Sequence, residues 1–315
     1  MAKNINSFVQ ENDEILISII IPTYNYGHLL DRAVKSVASQ TNGHRFIETI
    51  IVNDGSTDNT AEVVNELKSY FYKNLTVIHK DNGGAASARN VGLKKSRGAY
   101  ILFLDADDEL APGAIQAILN TIDKFPNFSI LLGAHISVFP DGQEKLRHPT
   151  PVPASNPRQL IIRYLLQKKI SISHGCSLFN RDLLLQRPYP ETLNKGEDIP
   201  VFAYLLISGK TITISQPLAK IHKHGSSLRH SRNNEENNAL KMVEEVFSYL
   251  PPECQNLRDR YLAQRYLSLF RNALIHKEKS AIKSYYIKAI KKNWMVLFNL
   301  SYLRKAIRAF IFTTN

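Results

Sequence analysis

The first hundred residues alternate between apolar runs and amphipathic segments, and this alternation constrains the fold more than any other feature of the chain. Four apolar runs predict strands: LISIIIP (16–22), IETIIVN (47–53), LTVIHK (75–80) and AYILFLD (99–105). Three segments between them predict helices: HLLDRAVKSVASQ (28–40), AEVVNELKSYF (61–71) and GGAASARNVGLKKS (83–96). This order predicts right-handed crossovers and an α/β fold built on an open parallel sheet.

Polar residues follow each of the four predicted strands. The segments are Pro22–Asn25, Asn53–Ser56, Asp81–Gly83 and Asp105–Asp107. Because ligands of such sheets bind outside the carboxyl ends of the strands, we expect these four segments to converge on one edge. The sequence therefore predicts a single site assembled from distant parts of the chain.

The segment after the fourth strand concentrates carboxylates. Asp105 and Asp107 are two residues apart, so an extended backbone would place both side chains on the same face. Two such carboxylates repel each other unless a cation lies between them, and Mg²⁺ or Mn²⁺ prefers oxygen ligands that it shares with phosphates. A solvated turn is the alternative for an isolated pair of this kind. Asp108 and Glu109 are expected to shape the turn that follows.

Several classes of protein are excluded by what the chain lacks. The turn PTYNYGHLL after the first strand contains no G-x-G-x-x-G, and no P-loop is present, which excludes the common dinucleotide and Walker-type sites. Cys176 and Cys254 offer neither a disulfide framework nor zinc spacing, so a reducing compartment is expected. The polar N-terminus lacks an apolar signal core, and no apolar run is long enough to span a membrane. These features predict a cytoplasmic protein.

Four motifs occur in a characteristic order: SIIIPTYN, IIVNDGSTDNT, NGGAASARNVGLKKSRGAYILFLDADD and KGEDIP. In this order they resemble glycosyltransferase family 2. The resemblance covers residues 15–230 and implies a GT-A fold, which is Rossmann-like with a mostly parallel central sheet and helices on both faces. Residues 15–110 would form the nucleotide-sugar-binding half and residues 111–230 the acceptor-binding half. A polar N-terminal tail (1–14) and a basic, α-helical C-terminal extension (231–315) lie outside it.

The residues themselves suggest individual roles at the predicted edge. Asp54 could bind a base N–H or a ribose hydroxyl, Arg89 could reach a phosphate or hold the acidic strand ends, and Tyr24 could stack on a base. Helix capping and ordinary packing are the alternatives for each residue taken alone. The resemblance implies a donor site for a nucleotide sugar, most often UDP-linked. Its residues are Pro22, Thr23, Tyr24, Asn25, Asp54, Gly55, Asn82, Gly83, Arg89, Asp105 and Ala106.

The resemblance also implies a metal site and a catalytic pair. Asp107 would bind Mn²⁺ or Mg²⁺, with His224 completing the site and His222 as second choice. Glu197 and Asp198 would supply the catalytic base, with Asp198 preferred. A sugar hydroxyl is a poor nucleophile and needs such a base, whereas simple helix capping is the alternative role for the pair. Asn53 departs from the family pattern, in which an aspartate is common, and leaves Asp54 as the main residue for reading the base.

The basic residues are concentrated at the end of the chain. Of the formal net charge of +12, residues 271–315 contribute ten basic residues against one acid. The segment 281–312 mixes these cations with aromatic and apolar residues at helical spacing, which suits an anionic membrane surface. A helical pair that packs on the catalytic domain or forms a homodimer contact is the equal alternative. Charge alone would allow nucleic acid, but no recognised binding module supports that partner.

Together these features predict a metal-dependent, inverting glycosyltransferase. It would move a sugar from a UDP-linked donor to a saccharide or lipid-linked acceptor in surface polysaccharide biosynthesis, in the cytoplasm or peripherally on the inner face of the membrane. A non-catalytic module that binds nucleotide sugars or carbohydrates at the membrane is the main alternative. A sugar-phosphate nucleotidyltransferase would need a glycine-rich, basic loop after the first strand, where this chain has PTYNYG.

Overall fold

The computed structural model describes residues 14–41, 44–70, 74–193, 195–223 and 235–311. These residues pack into two compact units. Within the described residues, the first unit contains a nine-stranded sheet and helices that cover it. The second unit is helical.

The two units are not consecutive in sequence. The second unit combines residues 155–168, 192–203 and 235–311, and the first contains the other described residues. The sequence analysis divides the chain near residue 230. The packing differs from that division because two internal segments group with the C-terminal helices, and local periodicity does not report which distant segments pack together.

The sheet of the first unit is mixed. Its strands are Ile17–Thr23 (β1), Ile47–Asp54 (β2), Leu75–Lys80 (β3), Tyr100–Phe103 (β4), Glu109–Leu110 (β5), Ile130–Val138 (β6), Glu144–Arg147 (β7), Ser177–Asn180 (β8) and Thr211–His222 (β9). Their order is β3-β2-β1-β4-β8-β6-β9-β5, with β7 paired to β6. β1 to β4 are parallel, as are β6 and β9, whereas β8 runs antiparallel to both β4 and β6. β1 to β4 thus form a parallel block from about the first hundred residues, and β6 with β9 is a separate parallel pair.

The helices follow the predicted alternation and then dominate the end of the chain. They are Gly27–Thr41 (α1), Thr60–Leu67 (α2), Gly84–Lys95 (α3), Ala114–Lys124 (α4), Pro157–Ile161 (α5), Arg181–Gln186 (α6), Asp198–Ile207 (α7), Glu235–Phe247 (α8), Pro252–Gln255 (α9), Arg258–Ile275 (α10), Lys279–Lys292 (α11) and Leu300–Ile311 (α12). The predicted helices and strands of the first hundred residues are confirmed to within a few residues at each end. No helix in the described part of the chain is long and apolar enough to cross a membrane.

The core of the first unit explains why its central strands are so apolar. Every residue of β2 is buried, and β1 is buried at six of its seven positions. Glu48 is a charged residue inside β2, and its carboxylate accepts hydrogen bonds from the Ser18 hydroxyl (2.7 Å) and the Arg97 guanidinium (2.9 Å). The buried charge is thus paired and hydrogen-bonded, as burial requires.

The parallel register aligns the ends of the strands that build the candidate site. Thr23 at the end of β1 pairs with Asn53, and Asp54 at the end of β2 pairs with Lys80. Helix α3 lies close against this sheet at Gly92, where an added Cβ would come 2.4 Å from a methyl carbon of Ile20. The absence of a side chain at Gly92 therefore allows α3 to pack at a short distance from the sheet.

The second unit is held together by the antiparallel pair α10 and α11. Lys292 lies 3.1 Å from Asp259 near one end of the pair, and Tyr285 stacks on Tyr266 further along. Phe270 is fully buried and packs against Tyr286, with ring centroids 5.3 Å apart. α12 follows α11 after a short 3₁₀ turn, Trp294–Phe298.

Candidate active site

The turns after β1 and β2 are tied to each other. The backbone N–H of Asn25 donates to the Ser56 hydroxyl (3.0 Å), and the Asn25 side-chain oxygen accepts from the Thr57 N–H (2.8 Å). Asn25 has a φ of +55°, a left-handed conformation that asparagine tolerates better than most residues. The neighbouring Tyr24 is 43% exposed at this edge, while Thr23 is buried. Two of the predicted polar segments are therefore joined in one structure.

Asp54 ties the turn after β3 to the same edge. Its buried carboxylate pairs with Lys80 Nζ (2.5 Å) and accepts backbone hydrogen bonds from Gly83 (3.0 Å) and Gly84 (2.7 Å). Gly55 follows with a φ of +73°, and a Cβ there would lie 2.6 Å from the backbone nitrogen of Asn82. The structure thus brings Asp54, Gly55, Asn82 and Gly83 together, and it adds Lys80, which the sequence analysis did not identify.

Arg89 connects helix α3 to the first carboxylate of the acidic segment. Its guanidinium is buried and donates to Asp105 Oδ1 (3.1 Å), so of its two suggested roles the structure shows the contact with the acidic strand end. The same guanidinium lies over the ring of Tyr189, 5.7 Å from the centroid. The Tyr189 hydroxyl in turn lies 2.9 Å from His174 Nε2.

Tyr189 and His174 were missed in the sequence, where no local motif marks them. Burial, followed by the charge of Arg89, holds the pKa of His174 well below its ordinary value. The imidazole is therefore neutral at physiological pH. The ion pair of Asp105 with Arg89, and the packing of Arg89 on the Tyr189 ring, fix the position of the first carboxylate.

The rest of the acidic segment is anchored to α1 and β9. Arg32 donates to the backbone carbonyl of Asp107 and lies 3.4 Å from the Glu109 carboxylate. His222 Nε2 lies 2.6 Å from the same Glu109 carboxylate, and the His222 backbone N–H donates to Asp108 Oδ1 (2.9 Å). These are the contacts expected of an Asp108 and a Glu109 that shape the turn. Arg32 is a second cation that the sequence analysis did not identify.

Three carboxyl groups of the acidic segment, those of Asp105, Asp107 and Asp108, lie close enough to influence one another electrostatically. Burial, together with the charges of Asp105 and Asp107, raises the pKa of Asp108 to about 8. Burial also raises the pKa of Tyr26, and the charges of Asp107, Asp105 and Asp108 add to that effect. A divalent cation would relieve this repulsion, because carboxylate oxygens are the ligands that Mg²⁺ and Mn²⁺ prefer. The donor set therefore fits a metal.

The described protein atoms do not form a complete metal cage. Among these residues no group of three or more His, Cys, Asp or Glu side chains has the arrangement of a metal site. His224 lies outside the described residues, and the second choice, His222, is engaged with Glu109. A cation at Asp107 would accordingly draw further ligands from outside this set, such as the phosphate oxygens of a substrate.

Glu197 and Asp198 lie in the second unit, whereas the residues of the sheet edge lie in the first. Both side chains are half-buried, and Asp198 is the first residue of α7. The turn before it contains Gly196 with a φ of +73°, whose carbonyl accepts from the Ile199 N–H (3.1 Å). Burial raises the pKa of Tyr261, and the negative charge of Asp198 contributes to that shift. Asp198 thus stands at a helix N-terminus, where an ionised carboxylate is favoured.

Comparison with known proteins identifies the family. Residues 18–187 match the model of glycosyl transferase family 2, which covers just over half of the chain. The chain belongs to this family. This family 2 glycosyltransferase is 34% identical over 194 residues to the minor teichoic acid biosynthesis protein GgaB of Bacillus subtilis (strain 168), a match that covers 61% of the chain and 21% of GgaB. The chain spans between 21% and 59% of the length of the first curated relatives that it matches.

Solved structures show the fold of this family 2 glycosyltransferase. Residues 1–349 of Staphylococcus aureus TarS, in complex with UDP-GlcNAc, superpose with a TM-score of 0.68 at 23% identity, covering 88% of this chain and 80% of that one. The mannosyltransferase PcManGT of Pyrobaculum calidifontis, in complex with GDP-Man and Mn²⁺, gives a TM-score of 0.54 at 16% identity, covering 95% and 86%. The predicted GT-A fold with a C-terminal helical region is confirmed.

Proposed function

We propose that this glycosyltransferase moves a sugar from a UDP-linked donor to a saccharide or lipid-linked acceptor, with inversion at the anomeric carbon and with the aid of a divalent metal. The observation that carries the proposal is the sheet edge at which Asp54, Arg89 and Asp105 join three strand ends into one polar site. TarS is solved with UDP-GlcNAc, which supports a UDP donor. GgaB is named for teichoic acid biosynthesis, which supports a role in building a surface polysaccharide.

The donor would bind along the joined turns of the first unit. The exposed ring of Tyr24 offers a face for the base, and the segment from Pro22 to Asn25 would surround it. Asp54 and Gly55 would lie beside the base and ribose, with the buried Asp54 carboxylate holding the loop of Gly83 in place. The exposed Asn82 and Gly83 lie on the loop that Asp54 holds, and Asp105, oriented by Arg89, would meet the ribose beside Ala106.

Asp107 would hold the metal, Mn²⁺ or Mg²⁺, with His224 as a second ligand and His222 as the alternative. Bound there, the cation would neutralise the charge that accumulates on the departing diphosphate. Burial is the main cause of the raised pKa of Asp108, and the charges of Asp105 and Asp107, which add to it, support a cation at this place. Arg32 donates to the backbone carbonyl of Asp107 and so holds the backbone from which the Asp107 side chain extends.

Asp198 would act as the catalytic base, assisted by Glu197. As the acceptor oxygen attacks the anomeric carbon, the hydroxyl proton would pass to the Asp198 carboxylate while the bond from that carbon to the diphosphate oxygen breaks. A single displacement of this kind inverts the anomeric centre. The position of Asp198 at the N-terminus of α7 supports the role, because the helix dipole favours a negative charge there.

Two free, buried cysteines support a cytoplasmic setting. Cys176 and Cys254 are unpaired, and burial raises the pKa of both thiols. Unpaired thiols persist where the compartment is reducing. We place the reaction in the cytoplasm on this basis.

The test measures UDP released from a panel of UDP-sugars with Mn²⁺, where water replaces the acceptor. We expect slow release by the wild type, and a loss of about 10²–10⁴-fold in Asp198→Asn at unchanged UDP affinity. Asp182→Asn is the control, because Asp182 is a solvent-exposed carboxylate in the first turn of α6. An unchanged rate in Asp198→Asn would exclude Asp198 as the base.

A non-catalytic binding module is the second candidate, and the same assay separates it. Such a module would bind UDP-sugars without releasing UDP, and Asp198→Asn would then alter nothing. If the chain bound none of the UDP-sugars tested, both candidates would be contradicted.

A further inference from the structure

The turn between α11 and α12 exposes a cluster of large apolar side chains. Its members, which we call the apolar turn, are Trp294 (65% exposed), Met295 (57%), Leu297 (41%), Phe298 (70%) and Leu300 (62%). Trp294 and Phe298 contact each other edge to face, with centroids 5.6 Å apart. Single exposed apolar residues are normal on protein surfaces, but five within seven residues form a patch that marks an interaction surface.

The apolar turn is a built structure and not a frayed end. The Asn293 side chain accepts a hydrogen bond from the Met295 N–H (3.2 Å), and the Asn293 carbonyl accepts from the Val296 N–H (3.1 Å). Val296 is buried beneath the turn, and Asn299 donates back to its carbonyl (3.1 Å). The sequence of this segment therefore turns its one buried residue inward and holds the larger apolar residues outward.

Helix α12 also exposes apolar side chains, on the face that points away from the rest of the second unit. Ala306 is buried and Tyr302 packs on Phe270, which fixes the inner face of the helix. The outer face carries Leu300 and Ile307, and it also carries the cations Arg304 and Arg308 at the same helical spacing. The exposed face thus combines apolar side chains, which can enter a membrane interface, with cations that can contact anionic headgroups.

The excess of basic residues around the apolar turn indicates what kind of surface binds there. Residues 279–315 contain eight basic residues and no acidic residue. Lys288 and Lys292 pair with Glu236 and Asp259, whereas no carboxylate in the described chain pairs with Lys291, Arg304 or Arg308. A second copy of this surface would bring the same positive charges together, which disfavours a dimer. An anionic surface would satisfy them.

We propose that the apolar turn and the outer face of α12 bind an anionic lipid bilayer. Trp294, Met295 and Phe298 enter the boundary between headgroups and acyl chains, where aromatic residues partition favourably. Lys291, Arg304 and Arg308 meet the lipid phosphates. The proposal concerns the second unit alone and does not depend on the donor or the metal.

Trp294 is the single tryptophan of the chain and therefore reports on this surface directly. The full chain is titrated with vesicles of phosphatidylcholine containing phosphatidylglycerol, and separately with vesicles of phosphatidylcholine alone. We expect the Trp294 emission to shift to shorter wavelength and to be quenched by acyl-brominated lipid with the anionic vesicles only. Salt should weaken the binding because it screens the lysine and arginine charges.

Variants measured by vesicle co-sedimentation separate the apolar and the basic contributions. Phe298→Ser should lower the partition coefficient by about tenfold. Lys291→Gln and Arg304→Gln should each lower it by roughly fivefold. Ile275→Ser is the matched control. Ile275 is 70% exposed at the C-terminal end of α10, just before α11 begins, and the length of α11 separates it by about 20 Å from the apolar turn, so its partition should equal that of the wild type.

Three results would overturn the proposal. One is equal binding to both kinds of vesicle, and another is an equal loss in Ile275→Ser and Phe298→Ser. The third is a shift of the Trp294 emission with protein concentration in the absence of lipid, which would assign the surface to a second copy. UDP release and thermal melting of each variant are measured alongside, so that a folding defect or a failure of the proposed activity is distinguished from a loss of lipid binding.

Discussion

Arg89 and Asp54 hold the sheet edge together from within the protein. Each is buried, and each connects two segments that are far apart in sequence. Both residues could be singled out because they belong to motifs near strand ends. Holding the acidic strand end was among the roles predicted for Arg89, whereas the contacts of Asp54 with Gly83 and Gly84 were not predicted. Lys80 and Tyr189 could not be predicted, because their roles arise from contacts across 26 and 100 residues that no local pattern encodes.

Arg89→Lys should weaken UDP binding. Lysine keeps the charge but lacks the planar fork that lies over Tyr189 while donating to Asp105, so Asp105 loses its fixed position. We expect a loss of UDP affinity of about 10- to 150-fold, since one charge-assisted hydrogen bond contributes about 1.5–3 kcal/mol. Tyr189→Phe is the control, because it keeps the ring under Arg89, and calorimetry should find its affinity close to that of the wild type. Equal affinity in Arg89→Lys and wild type would contradict this role.

His174 should make stability depend on pH on the acid side. The unfolded chain binds a proton at His174 near pH 6.5, whereas burial, with the charge of Arg89, keeps the folded imidazole neutral by lowering its pKa. The contribution of His174 to the free energy of unfolding should thus be level above about pH 7 and fall as the pH drops below about 6.5. Asp108, whose raised pKa gives the opposite slope up to about pH 8, is present in both proteins and cancels when the wild type is compared with a His174 variant. His174→Gln keeps a polar atom near the Tyr189 hydroxyl and should flatten the slope by up to about 1.4 kcal/mol per pH unit. Urea unfolding across this range checks it, and identical slopes would exclude His174.

At the scale of elements, α3 is the helix that carries Arg89 to the sheet edge, and its position depends on Gly92. Gly92→Ala places a Cβ 2.4 Å from Ile20, inside a closely packed core. Overpacking costs about 1–3 kcal/mol, which exceeds the gain of at most about 1 kcal/mol in helix propensity. We expect a lower melting temperature, and a smaller loss when the same change is made in an Ile20→Ala background. A stabilised Gly92→Ala protein would show that helix propensity alone decides this site.

The longer elements were predictable and the short ones were not. β1 and β2 are fully recognisable from their continuous β-branched runs, and α1 from its apolar stripe. β5 has only two residues, Glu109 and Leu110, and exists because they pair with Lys220 and Ala219 of β9. A strand of that length has no periodicity to detect, so it follows from tertiary pairing and not from local sequence.

At the scale of the whole molecule, the order of the motifs was sufficient to predict the family and the GT-A fold, and both are confirmed. The division of the chain into two compact units was harder to predict from the sequence. Residues 155–168 and 192–203 group with the C-terminal helices, so Glu197 and Asp198 belong to the helical unit although they precede it in sequence. Their part in catalysis stays a prediction that the Asp198→Asn assay addresses.

The central claim is that the carboxyl edge of the sheet binds a nucleotide diphosphate together with a metal at Asp107. Calorimetric titration with UDP, with and without Mn²⁺, tests it in the wild type, in Asp107→Asn and in the control Asp182→Asn. We predict that Mn²⁺ strengthens UDP binding in the wild type and in the control, and that Asp107→Asn loses this gain while keeping the weaker metal-free binding. No UDP binding under either condition, or an undiminished Mn²⁺ effect in Asp107→Asn, would contradict the account.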